Sequence, residues 1–509
     1  MNANYKNEYR CITAMAASLL VTVLLGYGAV GAALVEKKLD NQNITDAIEN
    51  ELLFDRAVPA NDIDVKVVDG VVTLRGKVGN ILAKERAARM AETVKGVRSV
   101  VNLVKVKPAT TRSDSAIERD VQRALLEDPA TDSYEVRVSV KNSVVKLTGT
   151  TQSRTEKQLC GTVAKGVKGV IDVENKIRIK YKSERPDVEI RPEIEKALRW
   201  SVLVDDALID VEVDDGEVTL TGTVGSAAEK RQAIVQAWVV GVKSVDASDL
   251  KVARWARNED LRKDKYVAKS AVEIRDAIKD AFLYDPRVSS FNVTPDIAGS
   301  TVTLRGTVDN LKAKRAAEQD ARHTVGVTYV SNRLKVRPDD DLTDFEVAGN
   351  IRAALNRDAY VDRYDITVSV VGGIAYLSGT VDSYFEKWRA DDAASKVRGV
   401  VMVRNNLEVD YGGPIVYDPY VDDDYPYVDD WYDYEPNHSF TSDIEIKQDI
   451  ESELWWSPFV DEDEVKVEVS GGVATLTGSV DSWIEHGAAT DNAYEGGATW
   501  VDNSDLEVK

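Results

Sequence analysis

Apolar residues recur at helical spacing from about residue 44. Ile44, Ile48 and Leu52 stand four apart, as do Ile117, Val121 and Leu125, and Ile274, Ile278 and Phe282. Such a stripe predicts an amphipathic helix with one buried face. Small polar residues before these runs, such as Ser113 and Thr441, predict N-caps. Strict alternation follows each helix. Ile63, Val65 and Val67 are interleaved with Asp64 and Lys66, which predicts a half-buried strand. A dipeptide tolerant of positive φ comes next: Asp69-Gly70, Asn142-Ser143, Asp215-Gly216, Gly299-Ser300, Gly372-Gly373 or Gly471-Gly472. These dipeptides suit a two-residue hairpin turn. The second hairpin strand points Val72, Leu74, Gly76 and Val78 one way and Thr73, Arg75 and Lys77 the other. An alanine-rich helix from Ile81 to about Val94 and a last strand from Val97 to Val106 complete the unit.

The pattern repeats. The motif Leu-x-Gly ends at Gly76, Gly149, Gly222, Gly306, Gly379 and Gly478, with spacings of 73, 73, 84, 73 and 99 residues. A second glycine follows 19 or 20 residues later: Gly96, Gly169, Gly241, Gly326, Gly399 and Gly497. The turn glycines Gly70, Gly216, Gly373 and Gly472 belong to the same signature. Beyond each second glycine comes a valine, then Asn102, Asn175, Asn332, Asn405 or Asn503, with Ala247 the exception. Repetition at this level predicts six tandem modules rather than a few large domains. The fold class is α+β. Each α-β-β-α-β module places two helices on one face of a three-stranded mixed sheet. The modules span 44–106, 114–180, 188–252, 270–336, 343–409 and 441–509. The glycine within the strand implies a bulge or the close approach of a helix. The second glycine implies a helix C-cap, and the asparagine a side-chain bond to backbone or a sheet-edge feature.

The first 35 residues differ from this pattern. Cys11 to Val35 carry no charge, Lys6 and Arg10 precede them, and small residues follow the most apolar stretch. A secretory signal cleaved near Ala32 and a retained membrane anchor both fit. Gly26-x-Gly28-x-x-Gly31 matches a dinucleotide-binding pattern only formally, because no strand precedes it.

Charge separates the C-terminal fifth from the rest. Residues 410–509 hold 26 Asp and Glu against three Lys, so they carry −23 of the net −22 and the preceding residues sum to +1. The net charge argues against bulk electrostatic attraction to nucleic acid or to an anionic membrane, although the near-neutral body and the acidic tail have to be considered separately. Within it, 410–440 has nine acidic residues, seven tyrosines, Trp431 and no Lys or Arg, which predicts a disordered linker. Three histidines and two cysteines in 509 residues leave little material for a His/Cys metal site. His323, His438 and His486 are far apart and lack an adjacent nucleophile, and His323 fits a surface position near a helix end. Asp210-x-Glu212-x-Asp214 has Asp215 where a calcium loop requires glycine. No catalytic, cofactor-binding or metal-ligating set emerges. Cys160 fits a small buried residue.

Two features bear on partners. Basic residues on the second helices, Lys84, Arg86, Arg89, Lys312, Lys314 and Arg315, form either a solvated face or a surface for lipid headgroups. Aromatic residues gather late in the chain: Tyr384, Phe385, Trp388, Trp455, Trp456, Phe459 and Trp483. They serve either core packing or an exposed contact surface.

The α-β-β-α-β order, the Val-x-Leu-x-Gly strand and the Gly-Val-x-x-Val-x-Asn strand together resemble the BON domain family. Its type member is a periplasmic protein induced by osmotic shock. The sixth copy departs most, with Gly487 in its second helix and Gly496-Gly497-Ala498-Thr499 in place of Gly-Val. The resemblance implies a non-enzymatic envelope protein that associates with phospholipid surfaces and maintains the envelope under stress. It offers no catalytic residues. A multivalent scaffold binding other envelope proteins is the alternative, with six weak sites acting together.

Overall fold

The structure is a computed structural model. It describes residues 39–509 except 132–134, 182–184, 258–260, 262–264, 289–291, 339–341, 362–363, 411–441 and 458. The predicted leader, Thr441 and all of the acidic linker beyond Asp410 lie outside the described residues.

The first helices of the six modules are α1 (Asn41–Phe54), α3 (Asp114–Glu127), α5 (Asp187–Trp200), α7 (Ala271–Tyr284), α9 (Asp344–Arg357) and α11 (Asp443–Trp456). The second helices are α2 (Ile81–Thr93), α4 (Arg154–Lys165), α6 (Ala227–Gln236), α8 (Leu311–Arg322), α10 (Tyr384–Ser395) and α12 (Trp483–Glu495). Ser113 caps α3 as its position predicts, accepting from the Ala116 N–H. Ser442 caps α11 in a reciprocal box with Glu445.

In module one, β1 (Ile63–Val68) runs antiparallel to β2 (Val71–Val78), and β2 runs parallel to β3 (Ser99–Asn102) and β4 (Lys105–Val106). The other modules repeat this mixed sheet with the second hairpin strand at its centre. The last strand is in two pieces in the first four modules and continuous in the fifth and sixth. The predicted triads lie where their spacing puts them. Ile48, Leu52, Ile117, Val121, Leu125 and Ile278 are almost wholly buried against inward-facing strand residues such as Leu74 and Leu147.

The repeat residues have definite work. Asn102 donates through Nδ2 to the Lys84 carbonyl in α2 at 2.6 Å and accepts from the Val104 N–H at 3.2 Å. Asn175, Asn332 and Asn405 do the same. The bond ties the last strand to the second helix and, in modules one, two and four, satisfies a backbone N–H where the strand is interrupted. In module three, where Ala247 stands, Lys230 Nζ donates to the Leu250 carbonyl instead.

A carboxylate also holds the hairpin turn in four of the six modules, and in module one the Asn41 amide oxygen accepts from the Asp69 N–H. Asp114 at the start of α3 accepts from the N–H groups of Asn142 and Ser143, at 2.9 and 2.8 Å. Asp187, Asp344 and Asp443 repeat this with the turns of their own modules. The turn residues Asn142 and Ser143 both have positive φ, as a primed two-residue turn requires.

Two expectations about glycine need correction. The strand glycine is approached by neither a bulge nor a helix. A Cβ on Gly149 would lie 1.8 Å from the carbonyl oxygen of Glu135, just before the first hairpin strand, and the ladder pairs Val136 with Gly149 in regular register. The hairpin's own backbone fills the space. In the first five modules the second glycine lies beyond the helix cap, whereas Gly497 caps α12 as expected, its N–H donating to the Tyr494 carbonyl and the Ala498 N–H to the Ala493 carbonyl. Helix α2 ends at Thr93, and Gly96 lies in the turn beyond with φ of +89°. Its missing side chain lets the first helix in, because a Cβ there would come within 2.9 Å of Ile44 Cδ1.

These contacts separate two kinds of glycine. Gly299 also has positive φ, but a Cβ there meets nothing within 4 Å. Gly299→Ala should cost about 1 kcal/mol, the price of left-handed backbone. Gly149→Ala must in addition push the hairpin strands apart and should cost about 3 kcal/mol or more. Thermal melts of the two variants should rank in that order, and equal melting temperatures would contradict the steric assignment.

Candidate functional site

The sheets face outward and the second helices face inward, so function has to be sought either on sheet faces or between modules. The first helix of each module ends on a polar residue whose side chain is buried: Asp55, Asp128, Ser201, Asp285, Asp358 and Ser457. In every module this side chain accepts from a backbone N–H two residues on, at Ala57, Ala130, Leu203, Arg287, Tyr360 and Phe459. The four aspartates have a second oxygen to satisfy, and a buried carboxylate without a partner is strongly disfavoured. Arg86 Nε lies 2.5 Å from Asp55, Lys312 Nζ 2.9 Å from Asp128, Arg287 Nη2 2.8 Å from Asp285 and Arg389 Nε 2.8 Å from Asp358. The Lys312 partner comes from module four and the aspartate from module two.

The modules also exchange backbone bonds in pairs. Just after the second helices of modules one, two and four, the N–H groups of Lys95, Lys168 and Val325 donate to Trp456, Arg357 and Trp200. Those acceptors are the last residues of the first helices in modules six, five and three. Two return bonds are present: Ala359 N–H to the Gly166 carbonyl and Val202 N–H to the His323 carbonyl. The pairing is therefore one with six, two with five and four with three. The acidic sixth module is held by cations of the body: Glu462 pairs with Lys95 at 3.2 Å and with Arg254 at 3.0 Å. Burial lowers the Lys95 ammonium to about 8, with Glu462 opposing the shift.

This arrangement corrects the expectation for the second-helix basic residues. Arg86 and Lys312 are buried in ion pairs, Arg315 pairs with Asp391 at 2.6 Å, and Lys84, Arg89 and Lys314 are half-buried. They form no solvated face and no headgroup patch, because the helices that carry them are enclosed by neighbouring modules. The late aromatics are likewise covered. Trp388 and Phe459 are buried, Lys95 lies 4.4 Å from the Trp455 ring centre, and Arg322 lies 4.5 Å from that of Trp483. An alanine-rich helix with charges all round it was the available sign that more than its own sheet would cover it.

Between modules two, three and four lies a cavity of about 680 Å³. Trp200, Trp238 and Tyr284 give it aromatic wall, and Gln232, Gln319, Asp320 and His323 give it polar wall. His323 Nε2 is buried and has no hydrogen-bond partner among the described residues, nor has Asp320 Oδ2. His323 is thus no surface residue. Burial, then the charges of Arg287 and Arg322, lower its ring to about 4. Burial, then the charge of Asp285, hold the Asp320 carboxyl well above the ordinary range. A neutral imidazole and a protonated carboxyl are the forms this wall favours. His438 lies outside the described residues.

Two outcomes follow. Asp128→Asn or Lys312→Met should each lower the melting temperature strongly, by about 3–5 kcal/mol of stability, because each leaves one buried polar partner alone. Asp128→Leu with Lys312→Met should recover most of that loss, and a double variant as weak as the singles would refute the pairing argument. The second concerns pH. Between the ordinary histidine value of 6.5 and about 4 the unfolded chain holds a proton on His323 that the folded chain does not. Stability from this ring is therefore complete above 6.5 and is lost as pH falls toward 4, by up to roughly 3 kcal/mol. Asp320 acts in the opposite sense, its contribution being lost as pH rises through its folded value. His323→Gln should flatten the loss of melting temperature between pH 7 and 4.5; an unchanged slope would exclude His323 as its source.

Comparison with known proteins agrees with the repeat. The BON domain profile matches residues 40–108, 113–181, 186–254, 270–338, 343–411 and 442–508. Osmotically-inducible protein Y of Escherichia coli (strain K12) is 32% identical over 148 residues, which are 28% of this chain and 74% of that protein. Outer membrane lipoprotein DolP of Haemophilus influenzae is 27% identical over 167 residues, 30% of this chain and 86% of that protein. The C-terminal domain of CdsD, a structural protein of the type III secretion system of Chlamydia trachomatis, is 15% identical, with 41% of this chain and 97% of that one covered. Its TM-score of 0.12 carries no argument. With six matched segments spanning most of its length, this chain belongs to the BON domain family.

Proposed function

We propose that this chain is a non-enzymatic protein of the cell envelope, exported by its N-terminal apolar segment to the periplasmic side, where it associates with phospholipid surfaces and supports the envelope under osmotic stress. The names of the two relatives, one osmotically inducible and one an outer membrane lipoprotein, support the setting. Among the described residues no helix is long and apolar enough to cross a membrane, so the reading rests on peripheral contact by the folded modules.

The observation that carries it is the outer sheet face of module one. Val68, Val71, Val101 and Leu103 are exposed there. Val68 pairs with Val71, and Thr73 with Val101, so the apolar side chains share one end of one face. Lys66, Arg75, Lys77, Lys105 and Lys107 are exposed beside them. Asp64 stands opposite Arg75 on this face, and apolar side chains flanked by an excess of cations suit the boundary between acyl chains and anionic headgroups. This reading looks for headgroup contact on the sheet rather than on the second helices, for which a headgroup surface was one of two sequence readings.

Flotation with vesicles of phosphatidylglycerol and phosphatidylethanolamine tests this on the full chain. Binding should require the anionic lipid and weaken between 0.01 and 0.15 M salt, as the screening length falls from about 30 to about 8 Å. Arg75→Glu with Lys77→Glu should weaken it about tenfold or more, and Val101→Glu with Leu103→Glu should abolish it. Flotation unaffected by either pair would overturn the assignment. Absence of flotation in the unaltered chain would favour the protein-binding scaffold, to be sought by pull-down from an envelope extract.

A further inference from the structure

The cavity between modules two, three and four is not used by the reading above. Its wall mixes ring faces with polar groups that the protein leaves unsatisfied. Gln232 is only 4% exposed in this wall, and beside it Glu193 Oε1 is buried without a hydrogen-bond partner. His323 Nε2 and Asp320 Oδ2 are also buried and unpartnered. Buried amides, imidazoles and carboxyls ordinarily find partners, and each one left alone costs about 1–3 kcal/mol. Three in one cavity wall point to a ligand that supplies the partners.

The charges restrict its class. Two cations line the cavity, and both are committed: Arg287 to Asp285, Lys196 to Asp280. A phosphate or carboxylate would find no uncommitted cation among the lining residues, since Arg154 stacks on the Trp238 ring at 4.5 Å without itself lining the cavity, and it would face Glu193, Asp285 and Asp320. An acyl chain would fit the rings but leave the three polar groups unpaired. A ligand with apolar faces and many hydroxyl or amide groups satisfies both. Val235 and the Lys196–Asp280 pair are exposed, so the cavity opens to solvent there.

We infer that the cavity bounded by Trp200, Trp238, Gln232, Asp320 and His323 is a binding site for a small neutral saccharide. The rings of Trp200 and Trp238 take the C–H faces of the sugar, as flat apolar walls do. Gln232 donates and accepts at its hydroxyls, His323 offers one further nitrogen, and Asp320 one further oxygen. The volume, about 680 Å³, lies within the range of small-molecule sites and suits two or three sugar rings.

Titration calorimetry on the full chain, with tryptophan fluorescence as a second readout, decides the matter. The probes are trehalose, cellobiose and di-N-acetylchitobiose, with sodium phosphate and sodium octanoate as the anionic and acyl comparisons. At least one disaccharide should bind saturably and shift tryptophan emission, while phosphate and octanoate should not. Gln232→Leu, which keeps volume and removes the amide, should weaken that disaccharide about tenfold or more. Trp238→Phe should weaken it and remove part of the emission shift. Melting temperatures within a few degrees of the unaltered chain would show that both variants remain folded. Lack of saturable binding by all three disaccharides, equal binding by Gln232→Leu and Trp238→Phe, or preferential binding of phosphate or octanoate would each overturn the assignment. None of these outcomes bears on vesicle flotation, which uses a different module.

Discussion

A carboxylate buried at the end of a helix has to be met by a cation, and in this protein that demand organises the modules. Asp55, Asp128, Asp285 and Asp358 stand at the same repeat position. Each uses one oxygen to turn the chain out of its first helix and presents the other to a guanidinium or ammonium. Three of the cations come from the same module. The fourth, Lys312, crosses from module four to module two. Where serine replaces aspartate, at Ser201 and Ser457, the turn bond remains and the need for a cation disappears. These two modules receive backbone bonds from modules four and one at the adjoining residue. Module five, with Asp358, receives the same bond from module two at Arg357, so the junction closes with either residue.

The consequence is an inside made of second helices. Small modules bury a limited fraction of their surface when alone. Here the alanine-rich helix, already seated on its own sheet, is covered a second time by neighbours. Ala228 of module three belongs to the apolar cluster of module six, and Leu311 of module four to that of module five. Small side chains permit this close approach. Charged residues among them are tolerated because partners lie across the junction, as in Arg315 with Asp391 and Arg231 with Glu92. The same inward packing leaves the sheets outside, free to meet a surface, and leaves a gap where modules two, three and four fail to close.

Much of this was legible in the sequence. Period-four triads marked the first helices and strict alternation marked the hairpins, because burial on one face imposes those periods whatever lies beyond the module. The turn dipeptides and repeat glycines were visible because positive φ and close backbone approach admit few side chains. Asn102, Asn175, Asn332 and Asn405, read as bonding to backbone or marking a sheet edge, bond to backbone, whereas Asn503 donates to the Thr490 hydroxyl. All of these are interactions within about seventy residues, and six copies report them repeatedly.

What only the tertiary structure decided is which residues meet across module boundaries. Lys312 and Asp128 are 184 residues apart, and nothing in a local pattern distinguishes a lysine bound for a buried carboxylate from one bound for water. The same holds for Trp455 under Lys95, and for Gln232, Asp320 and His323 around one cavity. Hydrophobic period records the burial of a residue against its own module, which the chain specifies locally. Contacts between modules depend on how six similar units are placed in space, and that placement leaves no period along the chain. The module is therefore written in the sequence of this protein, whereas the charges it hides and the cavity it encloses belong to the assembly of all six.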